Sequence, residues 1–212
     1  LMNNSLLLLD PEFNSEILDL SVDDRVWINI NGDYNYMTWG YYLSLDAENE
    51  GRRVMPTTAD VLDSYVVPLA MEKAAKGGLE VPRSKVVNFA HEVRPPVIAY
   101  PVNPFTLGFE IIVNKEEIES RIKRVTMSGK FATLVQELPE NFRMDTVRCI
   151  MGKTLVPEYS EFARTAFKVF HLPLMRVRAI VTPQSYIFSS IEPLPYESLT
   201  INEKKILEAM GR

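Results

Sequence analysis

Five aromatic side chains crowd into the nine residues from Tyr34 to Tyr42: Tyr34, Tyr36, Trp39, Tyr41 and Tyr42. Rings at this density either bind a ligand or protein partner, or cover the end of a sheet. The sequence leaves both readings open. Other chemistry-bearing residues are sparse. His91 and His171 are the only histidines, and neither has a second His or Cys at metal-ligand spacing. Cys149 is the only cysteine, and in a strand it reads as a small buried hydrophobe rather than a nucleophile. Arg176 and Arg178 alternate along a strand, which places two cations on one face, either solvated or binding an anion. No nucleophile elbow, P-loop or dinucleotide fingerprint is present.

The flanking residues must position the aromatic run. Val26, Trp27, Ile28 and Ile30 predict a buried strand, broken by the turn residues Asn31, Gly32 and Asp33. Thr38 is placed to cap a helix, whose inner face the spacing assigns to Trp39, Leu43 and Ala47, with Tyr42 beside them. Gly51 stops that helix, residues 52–55 begin a second strand, and Pro56 ends it. Strand, helix and strand with short links predict a right-handed parallel crossover. Ligands of such units bind beyond the carboxyl ends of the strands, here the loop 31–38.

Upstream, residues 6–9 read as a peripheral strand or helix turn, too short for the core of a signal peptide, with no basic region before them. Phe13, Ile17 and Leu20 suit a short amphipathic helix. Downstream, a helix over 60–76 contains Pro68, which predicts a kink or two pieces, and Gly77-Gly78 ends it. Strands are expected at 84–89, 97–100, 109–113, 131–137 and 146–151, with a helix at 115–124 carrying Ile118 and Ile122 inward. The second and third of these strands should pair antiparallel across the turn 103–108. Residues 157–170 form an amphipathic helix with Phe162, Ala166, Phe167 and Phe170 inward. A hairpin over 174–181 and 186–191 and a last helix at 202–210 complete the chain. The fold class is therefore α/β to α+β: an N-terminal βαβ unit over 1–60, then a mixed, hairpin-rich region over 61–212, packed as one globular body.

A hydrophobic share of 46% with 24% charged residues belongs to an ordinary globular protein. The net charge of −5 disfavours a nucleic-acid partner. One cysteine excludes an intramolecular disulfide, and no run of about 20 apolar residues exists to cross a membrane. The expected setting is the cytoplasm.

Tyr34, Tyr36, Gly40, Tyr41 and Tyr42, followed by Gly51, Val54 and Pro56, reproduce a Tyr-x-Tyr, Gly-Tyr-Tyr, helix and Gly-x-x-Val-x-Pro succession. In this the chain resembles the N-terminal domain of RimK-like ATP-grasp proteins. Gly152, Lys153, Leu155 and Pro157, with Pro193-Leu194 later, resemble the closing part of the same domain. Between them, the Gly-Leu-Glu-Val-Pro at 78–82, the Pro-Pro-Val-Ile at 95–98, Val135-Gln136-Glu137, and Asp145, Arg148, Cys149 and Gly152 resemble the ATP-grasp fold of RimK-type ligases. The resemblance implies a pre-ATP-grasp-like βαβ unit and an ATP-grasp-like remainder. It also implies that Gln136, Glu137 and Lys153 would be the nucleotide-binding residues, if any nucleotide binds.

The ligase chemistry needs cations on the phosphates, a glycine-bearing flap and carboxylates or an Asn for Mg²⁺. The strand lysine implied by the resemblance should lie near Ala99 or Tyr100, and Tyr100 takes the place. The flap 103–108 has only Gly108. Met175-Arg176-Val177-Arg178 is basic where an acid is expected, and Glu192-Pro193-Leu194 keeps one acid without the Asn. The expectation is a non-catalytic accessory or substrate-presenting module with no catalytic residue, no metal site and no cofactor. Its partners would be a separate ATP-grasp ligase, a peptide or a second copy of itself, bound through Tyr34, Tyr36, Trp39, Tyr41 and Tyr42. The alternative is a nucleotide binder or residual carboxylate–amine ligase using ATP and Mg²⁺.

Overall fold

The computed structural model describes residues 6–8, 26–103, 106 and 108–209. The helix expected around Phe13, Ile17 and Leu20 lies outside them, as do Pro104, Phe105 and Leu107 of the expected flap.

Three sheets carry the fold. The first has the order β1 (Leu6–Leu8), β2 (Trp27–Asn29), β3 (Val54–Met55). Helix α1 (Trp39–Asn49) links β2 to β3, which run parallel with Trp27 opposite Val54 and Ile28 opposite Met55. The strand, helix, parallel strand order is the expected one. The Thr38 hydroxyl accepts the Tyr41 N–H at 3.4 Å, and Gly51 follows the helix at φ +74°.

The inner face of α1 matches the expected one at Ala47 but not at Trp39. Gly40, Ser44 and Ala47 are buried, while Trp39 is 67% exposed. A polar residue turns the helix. Asn29 is fully buried in β2, and its amide donates to the Gly40 carbonyl at 2.7 Å and to Ser44 Oγ at 3.0 Å. Gly40 also lets the loop 31–33 close onto the helix, since a Cβ there would lie 2.1 Å from the Asp33 carbonyl oxygen. Counting apolar positions gives no weight to Gly or Ser, so it picks the neighbouring face.

Two helices follow, α2 (Thr58–Tyr65) and α3 (Val67–Lys76), broken where Pro68 sits in the first turn of the second. Thr57 and Asp60 form a capping box at the start of α2. The central sheet has the order β4 (Ser84–Val87), β7 (Thr133–Glu137), β5 (Val97–Pro101), β6 (Glu110–Ile112), all antiparallel. Helix α4 (Ile118–Val125) packs on one face through Ile122 and Val125, preceded by a 3₁₀ turn at Lys115–Glu117. The third sheet is β10 (Tyr186–Pro193), β9 (Leu174–Val181), β8 (Arg143–Ile150), antiparallel throughout.

Helix α5 (Ser160–Phe170) covers the third sheet. Its Phe162, Phe167 and Phe170 are buried as their spacing predicts, each worth roughly 2–3 kcal/mol of transfer free energy. Phe170 stacks on Phe188 of β10 at 5.2 Å between ring centroids. Cys149 is fully buried in β8, and burial pushes its thiol up to about 12. Helix α6 (Ile201–Glu208) ends the described chain.

Candidate functional site

The aromatic loop starts where β2 ends. Three short polar side chains wind it: Asn29 Oδ1 accepts the Asn31 N–H at 3.1 Å, Asn31 Oδ1 the Asp33 N–H at 3.4 Å, and Asp33 Oδ1 the Asn35 N–H at 3.3 Å. The end of β10 clamps the loop from outside. Leu194 N–H donates to the Gly32 carbonyl and Tyr196 N–H to the Asn31 carbonyl, both at 3.0 Å. Gly32 has φ +80°, and a Cβ there would lie 2.0 Å from the Leu194 oxygen.

The five expected aromatic residues divide in two. Tyr34 is fully buried and donates its hydroxyl to the Asn29 carbonyl at 2.7 Å, so it belongs to the core. Burial pushes its phenol far above the usual range. The others form a surface ridge. Tyr36 is 47%, Trp39 67% and Tyr42 42% exposed, and Tyr41 is half-buried. Tyr36 and Tyr42 each meet Tyr41 edge to face, at 5.1 and 5.8 Å. Met37, at φ +71°, joins the ridge at 61% exposure.

The structure does not gather Gln136, Glu137 and Lys153 into one cavity. Gln136 is fully buried between the central and third sheets. Its amide N–H donates to the Ser189 carbonyl at 2.7 Å, and its Oε1 accepts the Ser189 hydroxyl at 2.7 Å. Glu137, one residue on, turns to the opposite face of the sheet and is exposed. Lys153 is exposed in the turn after β8, where its backbone exchanges hydrogen bonds with Ile150 at 2.8 and 2.9 Å.

Gln136 is part of a polar seam joining two sheets. The β9–β10 register shifts between Phe188 and Ser190, so Ser189 is an extra residue in its strand. Such a bulge re-aims the groups of the unpaired residue, here toward β7. Ser189 Oγ also lies 2.7 Å from Tyr100 Oη, and the Ser190 hydroxyl reaches the same phenol at 3.2 Å. All four residues are buried. Burial raises Tyr100 to about 12, against the lowering effect of the two serine hydroxyls.

At one end the seam leaves a cavity of about 70 Å³, lined by Asn35, Tyr65, Tyr100, Ser190 and Glu192 among others. Drug-sized ligands occupy roughly 300–1,000 Å³, so this space holds a few waters rather than a nucleotide. Glu192 is held by Arg178 and lies 3.7 Å from Arg176. Arg178 also covers the Phe109 ring, 4.0 Å from its centroid, and Arg176 donates to the Pro193 carbonyl at 2.8 Å. The two arginines therefore act on their own β10 neighbour. They leave Glu192 balanced by cations, the opposite of what a divalent metal ligand requires. Tyr65 Oη and Arg178 Nε are buried with no hydrogen-bond partner among the described residues. Among those residues no group of three or more His, Cys, Asp or Glu could hold a metal ion.

The residues that sequence reasoning missed are Ser189, Ser190 and Asn29. Their signal was polarity inside otherwise apolar strands. A second missed cluster joins α2, α3 and the end of α5. Asp60 accepts from Lys73 Nζ at 3.0 Å, lies 3.3 Å from His171 Nδ1, and caps Thr57. Burial raises this carboxyl, but the bonds from His171, Thr57 and Lys73 together hold it well below the usual range.

The sequence profile of the RimK-like ATPgrasp N-terminal domain matches residues 19–94 and 109–210. No curated protein matches the sequence. Among solved structures, the ATP-grasp ligase PsnB complexed with a phosphomimetic precursor variant, Mg and ADP is 18% identical, with a TM-score of 0.53 over 76% of this chain and 59% of that one. The RimK domain ATP-grasp protein of Sphaerobacter thermophilus is 13% identical, with a TM-score of 0.59 over 78% of this chain and 71% of its own. The D-alanine–D-alanine ligase of Bacillus anthracis, solved with ATP, is 12% identical, with a TM-score of 0.58 over 82% of this chain and 72% of its own. Identities this low speak for a shared ATP-grasp-like fold. The chain spans about three fifths of the length of PsnB.

Proposed function

The chain belongs to the RimK-like ATP-grasp N-terminal domain family, and from that premise we propose that it is a non-catalytic accessory module, one that engages an ATP-grasp ligase and presents substrate to it. The seam carries this reading. The resemblance implies an adenine-facing strand at Val135 to Glu137 and a phosphate-binding lysine near Tyr100. In this chain Gln136 and Tyr100 instead spend their polar groups on Ser189 and Ser190. Opening the seam to admit a nucleotide would break four buried hydrogen bonds, at about 1 kcal/mol each before any desolvation penalty. ATP and Mg²⁺ do not fit this donor set, with Tyr100 in place of the lysine and Glu192 held by Arg178.

The ridge of Tyr36, Met37, Trp39 and Tyr42 supports the partner half of the proposal. Exposed aromatic and Met side chains on an ordered turn supply large contact area at low entropic cost, the composition of binding hot spots. The ridge lies at the carboxyl end of β2, the face on which crossover units present their ligands. The setting we assign is the cytoplasm, in keeping with a lone thiol buried in β8 and with no membrane-crossing helix among the described residues.

The test immobilises the chain and titrates the catalytic region of a RimK-type ATP-grasp ligase over it. Trp39→Ala with Tyr36→Ala should weaken capture at least about tenfold while leaving the circular dichroism unchanged, because neither side chain fills the core. Undiminished capture by this double variant contradicts the assigned surface. If sedimentation shows the chain dimerising and the same variant abolishing the dimer, the ridge is a self-interface and the ligase-partner reading fails.

A further inference from the structure

We propose that the open edge of β4, with the groove beside it, docks an extended acidic peptide as an added strand of the central sheet. This goes beyond the accessory reading and concerns the opposite face of that sheet from the seam. β4 is the terminal strand in the order β4-β7-β5-β6, and no described strand pairs with its outer side. Glu137 N–H donates to the Arg83 carbonyl at 2.8 Å, and Lys85 stands opposite Val135. Antiparallel alternation then directs the backbone groups of Arg83, Lys85 and Val87 toward β7, and those of Ser84 and Val86 outward. Ser84, Lys85 and Val86 are exposed, Val86 by 53%. The edge thus offers a peptide backbone two residues' worth of donors and acceptors.

The groove beside this edge measures about 440 Å³. Val97 and Val135 form its floor, and Arg83, Lys85, His91 and Arg94 stand around it with Glu92 and Glu137. One of the two carboxylates is already engaged: Glu92 accepts the backbone N–H groups of Asn88 at 3.2 Å and Phe89 at 3.1 Å. Neither Arg83 nor Arg94 makes an ion pair with a described residue. Arginines with no ion-pair partner among the described residues, beside an apolar floor, select an anionic partner locally even on a chain of net charge −5. The free edge selects an extended backbone, which a small anion lacks. Lys85 shares its face of the strand with Val87, so alternate side chains of an added strand would stand over the cations.

Fluorescence anisotropy on the full chain tests this with a short labelled peptide alternating Glu and Val. The controls are its Lys-for-Glu counterpart and a single-stranded RNA of similar length. The Glu peptide should bind, and the two controls should not. Arg83→Glu with Arg94→Glu should weaken binding at least about tenfold. Val86→Pro, which removes an outward N–H without changing charge and is tolerable on an edge strand, should weaken it as well. Thermal melting of both variants should match the parent chain. Absence of Glu-peptide binding, preference for the RNA, or full binding by the arginine variant overturns the proposal. Full binding by a folded Val86→Pro variant overturns strand addition.

Discussion

Arg148 lies in β8 with its guanidinium on Glu203 of α6, donating at 2.6 and 2.8 Å. Glu203 is only 3% exposed and also accepts from the Thr200 N–H and hydroxyl. The Arg148 bonds are the chief cause holding this carboxyl below its usual range, against the cost of burial. In the resemblance to RimK-type ligases Arg148 belongs to the strand that carries Asp145 and Cys149, yet here it pins the last helix. Arg148→Met should cost about 3 kcal/mol or more in urea unfolding, because it strands a buried carboxylate. The polar seam makes a smaller claim. Tyr100→Phe removes one hydroxyl that two serines use and should cost about 1–2 kcal/mol by the same measurement.

Asp60 gives the pH dependence. Its folded carboxyl titrates below the ordinary value of 3.8, so the native state favours the ionised form. The stability this supplies is complete above the unfolded value and is lost as pH falls through the lower folded value. Asp60→Asn should therefore lower the urea midpoint at pH 6. The gap between variant and parent should narrow toward pH 3. A constant gap across that range would show that the carboxylate charge contributes nothing. The cluster was partly legible, since Thr57 three residues before Asp60 is a capping pattern. His171 and Lys73 come from other elements, and no local signal places them there.

At the scale of elements, the loop after β2 and the end of β10 are one joint. Gly32→Ala should destabilise by more than about 2 kcal/mol, because a Cβ would meet the Leu194 oxygen at 2.0 Å in a conformation that already favours glycine. Gly51→Ala, also at positive φ but facing open space, should cost only about 1 kcal/mol. A comparison of the two melting temperatures separates clash from backbone strain. Most elements were legible because each carries its own period or breaker: the α5 phenylalanines, Pro68 between α2 and α3, and the Thr-Pro turn between β9 and β10. The orientation of α1 was not, because Asn29 and the absent side chain of Gly40 decide it. Nor was the order of the central sheet, where β7 inserts between β4 and β5. Nothing local in a short apolar strand names its neighbours.

Across the whole molecule, the central and third sheets of an ATP-grasp-like body meet along the seam, and among the described residues the cavity at its end measures about 70 Å³. Tyr100 and Ser189 stand 89 residues apart in sequence, so their hydrogen bond had no local signature. The replacement of an expected lysine by Tyr100 was readable, but the closure it takes part in was not. The aromatic cluster was readable as a cluster, whereas its division into the buried Tyr34 and an exposed ridge depends on the Asn29 carbonyl that captures the Tyr34 hydroxyl. The two surfaces proposed for recognition are the ridge and the β4 edge on the far face of the central sheet.

Isothermal titration of the chain with ATP and excess Mg²⁺ tests the central claim most directly. A closed seam and a cationically balanced Glu192 predict no saturable heat up to millimolar nucleotide. A single-site isotherm near micromolar affinity, weakened by Gln136→Ala, would contradict the account and place the nucleotide between the sheets.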